Sequence, residues 1–309
     1  MHITKWLRKE NSGLFYTTLE HAKYEERAGH TITCREPHTG NILYGPDSPP
    51  DVHTIHSQVG IQAYHDGAPK LMLMHGEPLS SVANGVSLKA ILDLAQHVDA
   101  FICLRQEEAE VWRTIKRTYV VPKGIDLELF APATDPVEKL EGNPAVLYYE
   151  NWRGQRNPLY PLIAMKLVWQ QLPEARLHLY NCTDKKMHET FSALIKQCKL
   201  WPYVRSLMGQ VTHAEVPALL NRADIVVSGL YPLYARGIEA LGCGKAFIGA
   251  GYKEAGYPWQ TEMSPEAMAA TIIDCWGDYD KVNYRQWALD HHDEAESAKQ
   301  RCAIYQRYL

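Results

Sequence analysis

No apolar run in this sequence approaches the roughly 18 residues of a membrane span, so no transmembrane helix is expected. The opening MHITKWLRKENSG lacks the apolar centre of a signal peptide. The seven cysteines are scattered and no C-x-x-C pair occurs, so neither a disulfide framework nor a zinc site is indicated. Free buried thiols in a reducing cytoplasm are the expectation. The G-x-G-x-x-G fingerprint is missing, which leaves a dinucleotide cofactor unsupported. No acidic metal motif, internal repeat or low-complexity tract is present. A strong charge of either sign is absent too. The net charge of −4 argues against bulk electrostatic binding of nucleic acid, though it leaves a local basic patch open.

What is present is globular: 46% hydrophobic and 22% charged residues in a chain of 309, enough for two domains. Residues 1–7 read as a strand, 10–13 as a polar loop ending in Gly13, 14–28 as a helix and 31–34 as a second strand. This is a Rossmann-like opening of an α/β fold. Residues 37–50, rich in Gly, Pro, Asn and Asp, read as a surface loop. Strands are expected at 52–56 and 71–74, a helix at 86–97, a strand at 100–104, a helix at 106–114 and a strand at 119–121. The strand at 71–74 ends in His75, which places that histidine at the carboxyl edge where open α/β sheets bind ligands. Residues 131–144, with three prolines and several charges, are the best linker in the chain.

The second half repeats the alternation. Strands are expected at 145–149, 176–180 and 204–208, with helices at 161–172, 188–199 and 215–221. The first strand is followed by a loop carrying Arg153 and Arg156 ahead of a helix, an arrangement suited to an anion. A helix at 265–276 and a last long helix or pair over 283–309 complete the chain.

Residues 223–251, ADIVVSGLYPLYARGIEALGCGKAFIGAG, hold the most information. A β-branched strand at 225–227 leads through a turn into a short helix stopped by Gly242 and Gly244, and residues 246–248 start the next strand. A helix opening just after a parallel strand aims free N–H groups at the strand's carboxyl end, where a phosphate is the usual guest. Arg236 sits near the start of that helix and can add a forked cationic donor. Glu239 lies three residues on and can accept from a ribose diol; the plain alternative is a solvated i, i+3 ion pair.

This stretch resembles the donor-site signature of retaining GT-B glycosyltransferases, in the large group of glycosyl transferases group 1 or family 4-like enzymes. Their E-A-x-x-x-G-x-P-hydrophobic pattern stands here as residues 239–247, with Ala246 in place of the proline. The family's first glutamate falls on Tyr231, which is not acidic, and its glycine-rich turn on Pro232-Leu233-Tyr234-Ala235. Residues 121–130, VPKGIDLELF, resemble the family's V-P-N-G-[VI]-D-x-x-x-F, with Lys123 for the asparagine.

The resemblance implies a GT-B fold: two Rossmann-like domains facing across a cleft, an acceptor domain over 1–131 and a donor domain over 143–283. A C-terminal helix over 284–309 would pack back on the first. It implies transfer of a sugar from a nucleotide-diphosphate sugar with retention of configuration, the donor being a substrate, with no cofactor and no metal. By the same carry-over, Arg153, Arg156 and Arg236 hold the donor diphosphate and Glu239 the ribose, His75 lies beside the transferred sugar, and His75 and Glu239 are the catalytic residues. Residues Asn11, Ser12 and Gly13, with Trp6 and Arg8, border the acceptor side. Backbone at 208–211 is where the family recognises the base. The acceptor stays open between a glycan, a lipid and, as in phage-type enzymes of this architecture, a DNA base. Two rivals also stay open: a catalytically silent GT-B-like nucleotide-binding or scaffold protein, motivated by Tyr231, and a sugar-nucleotide epimerase.

Overall fold

In a computed structural model, residues 1–6, 13–37, 39–56, 67–74, 88–150, 152, 158–229, 234–250, 254 and 256–309 are described. The chain forms two compact units. One comprises Met1–Asp126 and His291–Leu309, the other Leu127–Asp290. Residues 131–144 therefore lie within the second unit, and the last helix within the first.

The first unit is built on seven strands: β1 (His2–Trp6), β2 (Thr31–Arg35), β3 (Ile42–Tyr44), β4 (Val52–Ile55), β5 (Lys70–Met74), β6 (Ala100–Cys103) and β7 (Thr118–Val120). Their order is β3-β2-β1-β4-β5-β6-β7. All pairs are parallel except β2 with the edge strand β3. Strand β3 falls inside the stretch read as a surface loop, a correction to that reading. The helices are α1 (Gly13–Arg27), α2 (Leu88–His97) and α3 (Gln106–Arg113).

Both faces of this sheet are buried, and period-2 alternation divides its side chains between two cores. Ile3, Ile32, Val52, Leu71, Leu73 and Ile102 point one way, onto Cys302, Ile304 and Tyr305. Trp6, Ile55, Met72, Met74, Phe101 and Cys103 point the other, onto Leu94, Val98 and Trp112. That is why the strands at 71–74 and 100–103 read as continuous apolar runs.

Lys5 and Trp6 belong to β1 and are buried. Both fall within the strand expected over residues 1–7. Lys5 Nζ lies 2.7 Å from Glu25 Oε2 on α1, and Arg301 Nε lies 2.9 Å from Glu25 Oε1. Arg301 also pairs with Glu294. The C-terminal α10 (Glu294–Tyr305) is thus held to β1 and α1 by a buried four-charge cluster. Burial pushes the Glu25 carboxyl up, but Lys5 and Arg301 outweigh it and hold it below the ordinary range.

The VPKGID segment serves this same joint. Ile125 N–H donates to His292 O at 3.0 Å, and His292 Nδ1 lies 3.0 Å from Lys123 O. Asp126 accepts from Tyr24 Oη at 2.8 Å and from Lys23. Gly124 is required by close approach: a Cβ there would lie 2.5 Å from the Glu294 Cα.

The second unit has five parallel strands: β8 (Ala145–Tyr148), β9 (Arg176–Cys182), β10 (Val204–Met208), β11 (Ile225–Ser228) and β12 (Ala246–Gly249). Their order is β10-β9-β8-β11-β12, so the direction of winding reverses between β8 and β11. The helices are α4 (Leu159–Val168), α5 (Lys185–Gln197), α6 (Val216–Arg222), α7 (Tyr234–Gly242), α8 (Pro265–Gly277) and α9 (Tyr284–His291). Asp184 caps α5 by accepting from Met187 N at 2.9 Å, and Ser264 caps α8 by accepting from Ala267 N at 3.0 Å. Among the described residues no helix is long and apolar enough to cross a membrane.

Candidate functional site

In an open parallel sheet, ligands bind beyond the carboxyl ends of the strands at the point where the winding reverses. In the second unit that point lies between β8 and β11. Tyr149 follows β8 directly, and α7 is the first helix after β11.

Helix α7 opens at Tyr234, so Arg236 stands in its first turn and Glu239 one turn on, on the same face. The two are an ion pair, with Arg236 Nη1 3.0 Å from Glu239 Oε2. Its carboxylate is withdrawn from solvent, with Glu239 only 6% exposed, while Arg236 is half-buried. Tyr149 donates its hydroxyl hydrogen to the same Oε2 at 2.6 Å. The Arg236 guanidinium lies 4.9 Å from the centre of the Tyr149 ring, within cation–π range. Burial and then the Glu239 carboxylate push the Tyr149 phenol well above its ordinary pKa, so it keeps its proton and acts as the donor. Burial alone would lower the Arg236 guanidinium, but Glu239 and Tyr149 outweigh it and raise it.

Close packing sets where α7 runs. A Cβ on Gly237 would lie 2.5 Å from Cδ1 of Phe247 on β12, so only glycine lets the helix approach the sheet this closely. The helix ends in a Schellman turn: Lys245 N–H donates to Ala240 O, Gly244 N–H to Leu241 O, and Gly244 takes φ +72°. Gly244 is therefore the stop, while Gly242 lies inside the helix. Arg285 Nη1 donates to the freed Gly242 carbonyl at 2.7 Å.

A second set of bonds braces the same edge. Asn181, the penultimate residue of strand β9, takes φ +65°. Its Nδ2 donates to Tyr149 O at 3.2 Å, and its Oδ1 accepts from Val211 N at 3.1 Å. Trp152 Nε1 donates to Tyr180 O at 2.9 Å. The carboxyl ends of β8 and β9 and the loop after β10 are thereby tied together.

Of the residues singled out in the sequence, Arg236 and Glu239 come together here. His75, Arg153, Arg156, Asn11, Ser12, Arg8 and Tyr231 lie outside the described residues. Gly13 is the first residue of α1. Trp6 is a core residue that donates its indole N–H to His53 Nδ1 at 2.9 Å, a correction to its reading as an acceptor-side residue. Among the described residues no cluster of His, Cys, Asp and Glu could hold a metal ion.

Tyr149 and Asn181 were not singled out. The signal for Asn181 was its place just after the strand expected at 176–180, since asparagine is the residue after glycine that best tolerates positive φ. Tyr149 gave no local signal, because its partner is 90 positions away.

No protein-family model and no curated protein sequence matches this chain. Solved structures do. Sucrose-phosphate synthase from Thermosynechococcus elongatus superposes with a TM-score of 0.74 at 17% identity, covering 99% of this chain and 98% of that one. HepE from Anabaena, in complex with UDP and glucose, gives 0.76 at 15% identity, covering 99% and 100%. The catalytic domain of starch synthase IV from Arabidopsis thaliana, bound to ADP and acarbose, gives 0.69 at 11% identity, covering 99% of both chains. At these identities the likeness establishes the fold, which is GT-B.

Proposed function

We propose that this chain is a glycosyltransferase that moves a sugar from a nucleotide-diphosphate sugar to an acceptor with retention of anomeric configuration. The observation that carries this reading is the Arg236–Glu239 pair, its carboxylate buried, in the first turns of α7 at the switch point of the second unit's sheet. A guanidinium beside a helix N-terminus suits a diphosphate, whose charge grows as the sugar leaves. A carboxylate one turn on suits ribose hydroxyls. The solved structures of this fold lend support: HepE carries UDP or UDP-glucose, and starch synthase IV carries ADP. Those ligands differ in base, so the fold itself favours none.

In this reading Arg153 and Arg156 join Arg236 on the diphosphate, and His75 lies beside the anomeric carbon. Asn11, Ser12, Gly13 and Arg8 border the acceptor. The donor is consumed as a substrate, and the leaving charge is met by arginines and the helix N-terminus without a resident cofactor.

The test is turnover. The protein is incubated with UDP-, ADP- and GDP-sugars and a panel of glycan, lipid and DNA acceptors, and nucleoside diphosphate release is followed. Release with one donor, with an NMR-defined product of the donor's own anomeric configuration, is expected. Tyr231 in place of the family's first glutamate favours a second reading, a silent nucleotide-binding protein. Binding of a nucleotide sugar without release in any pairing would select it, and an epimerised donor without transfer would overturn both.

A further inference from the structure

We propose that Tyr149 is a positioning residue that makes the second unit select a ribonucleoside diphosphate over its deoxyribose forms; this rests on the donor-site reading above. The relevant asymmetry is in the Glu239 carboxylate. Both of its donors, the Tyr149 hydroxyl at 2.6 Å and Arg236 Nη1 at 3.0 Å, converge on Oε2. Among the described residues Oε1 accepts no hydrogen bond. Two donors from different elements fix the rotation of the carboxylate, and the oxygen left over is the one presented to a ligand.

The chemistry at Oε1 is restricted. A carboxylate oxygen offers lone pairs and no hydrogen, so its ligand must supply an O–H or N–H. On a nucleoside diphosphate whose phosphates lie toward Arg236, the ribose hydroxyls are the donors within one turn of helix. A deoxyribose lacking the matching hydroxyl would leave that oxygen of a carboxylate only 6% exposed without its donor, which makes the discrimination steep.

Tyr149 also joins this acceptor to the loop after β10. While its hydroxyl holds Glu239, its carbonyl receives Asn181 Nδ2, and Asn181 Oδ1 receives Val211 N–H. One residue therefore sets the spacing between the carboxylate and the backbone of 209–211. Asn181, at φ +65°, can be replaced by glycine without backbone strain.

The experiment is calorimetric titration of UDP and ADP, each with its 2′-deoxy and 3′-deoxy form. The proteins are the wild type, Tyr149→Phe, Glu239→Gln, the double variant of these two, and Asn181→Gly. Tyr149→Phe keeps the ring under Arg236 and removes only the hydroxyl. Wild type is expected to favour the ribose form over one deoxy form by about 10- to 150-fold, the range for one hydrogen bond to a charged group. In Tyr149→Phe that ratio should fall at least threefold, and adding Tyr149→Phe to Glu239→Gln should change it no further. Asn181→Gly should weaken ribose and deoxyribose forms alike and leave the ratio unchanged. A merely structural tyrosine would lower all affinities together without moving the ratio. If wild type discriminates and Tyr149→Phe discriminates equally, this inference is overturned and the donor-site reading stands. If wild type binds none of the nucleotides, both fall.

Discussion

Arg301 Nε donates to Glu25 Oε1 across 2.9 Å, joining residues 276 positions apart inside a wholly buried cluster. The same guanidinium serves Glu294, and Lys5 serves the other oxygen of Glu25. Removing one member of such a cluster leaves a buried charge without its partner, which costs about 3–5 kcal/mol. Arg301→Met is expected to lose stability in that range in urea denaturation. Adding Glu294→Leu should recover part of the loss, because the stranded carboxylate is then gone. A loss below about 1 kcal/mol for Arg301→Met would show that α10 is held by its apolar face alone.

The same cluster should make stability depend on pH through His21. Burial, then Arg301, His56, Lys5 and Lys123, hold the His21 ring well below its ordinary value of 6.5, while Glu294 lies 3.7 Å from Nε2. The native ring is therefore neutral where the unfolded ring takes a proton. Its contribution is complete above about pH 6.5 and is lost as pH falls below that value. Glu294 acts in the opposite sense, since burial raises its carboxyl above 4.5 and lets the native state take up a proton first. Replacing His21 with glutamine should make the fall in stability between pH 6.5 and 5 shallower by up to about 1.36 kcal/mol per pH unit. An unchanged slope would place the titration on other groups.

Gly237 is expected to resist even alanine. In an exposed helix the exchange would stabilise by up to about 1 kcal/mol. Here the added methyl would sit 2.5 Å from the Phe247 ring, which is fully buried. Overpacking of this kind costs about 1–3 kcal/mol. Chemical denaturation of Gly237→Ala should show a net loss. Pairing it with Phe247→Leu should be less damaging than the sum of the two, and strict additivity would refute the contact.

Much of the architecture was legible because parallel strands buried on both faces leave short apolar runs separated by glycine and proline. The runs at 71–74, 100–103 and 225–228 are of that kind, and each is a strand within a residue of its expected bounds. Strand β3 was hidden because its three residues lie among turn formers, and an edge strand buries too little to need an apolar pattern. The burial of Lys5 was not legible, because it depends on Glu25, a partner that α1 supplies. Arg236 and Glu239 stood out because their spacing is local. Tyr149 did not, since a residue's value as a donor depends on an acceptor supplied by another part of the chain.

A nucleoside diphosphate site at the β8–β11 switch point is tested most simply by direct binding. Calorimetric titration of UDP, ADP and GDP into wild type, Arg236→Ala and Glu239→Ala should show saturable one-site binding of one nucleotide to wild type. Each variant should bind it at least tenfold more weakly while keeping its circular dichroism spectrum, as the loss of one charge-assisted hydrogen bond requires. Binding of equal strength in all three proteins would put the nucleotide elsewhere, and no binding of any nucleotide would contradict the claim outright.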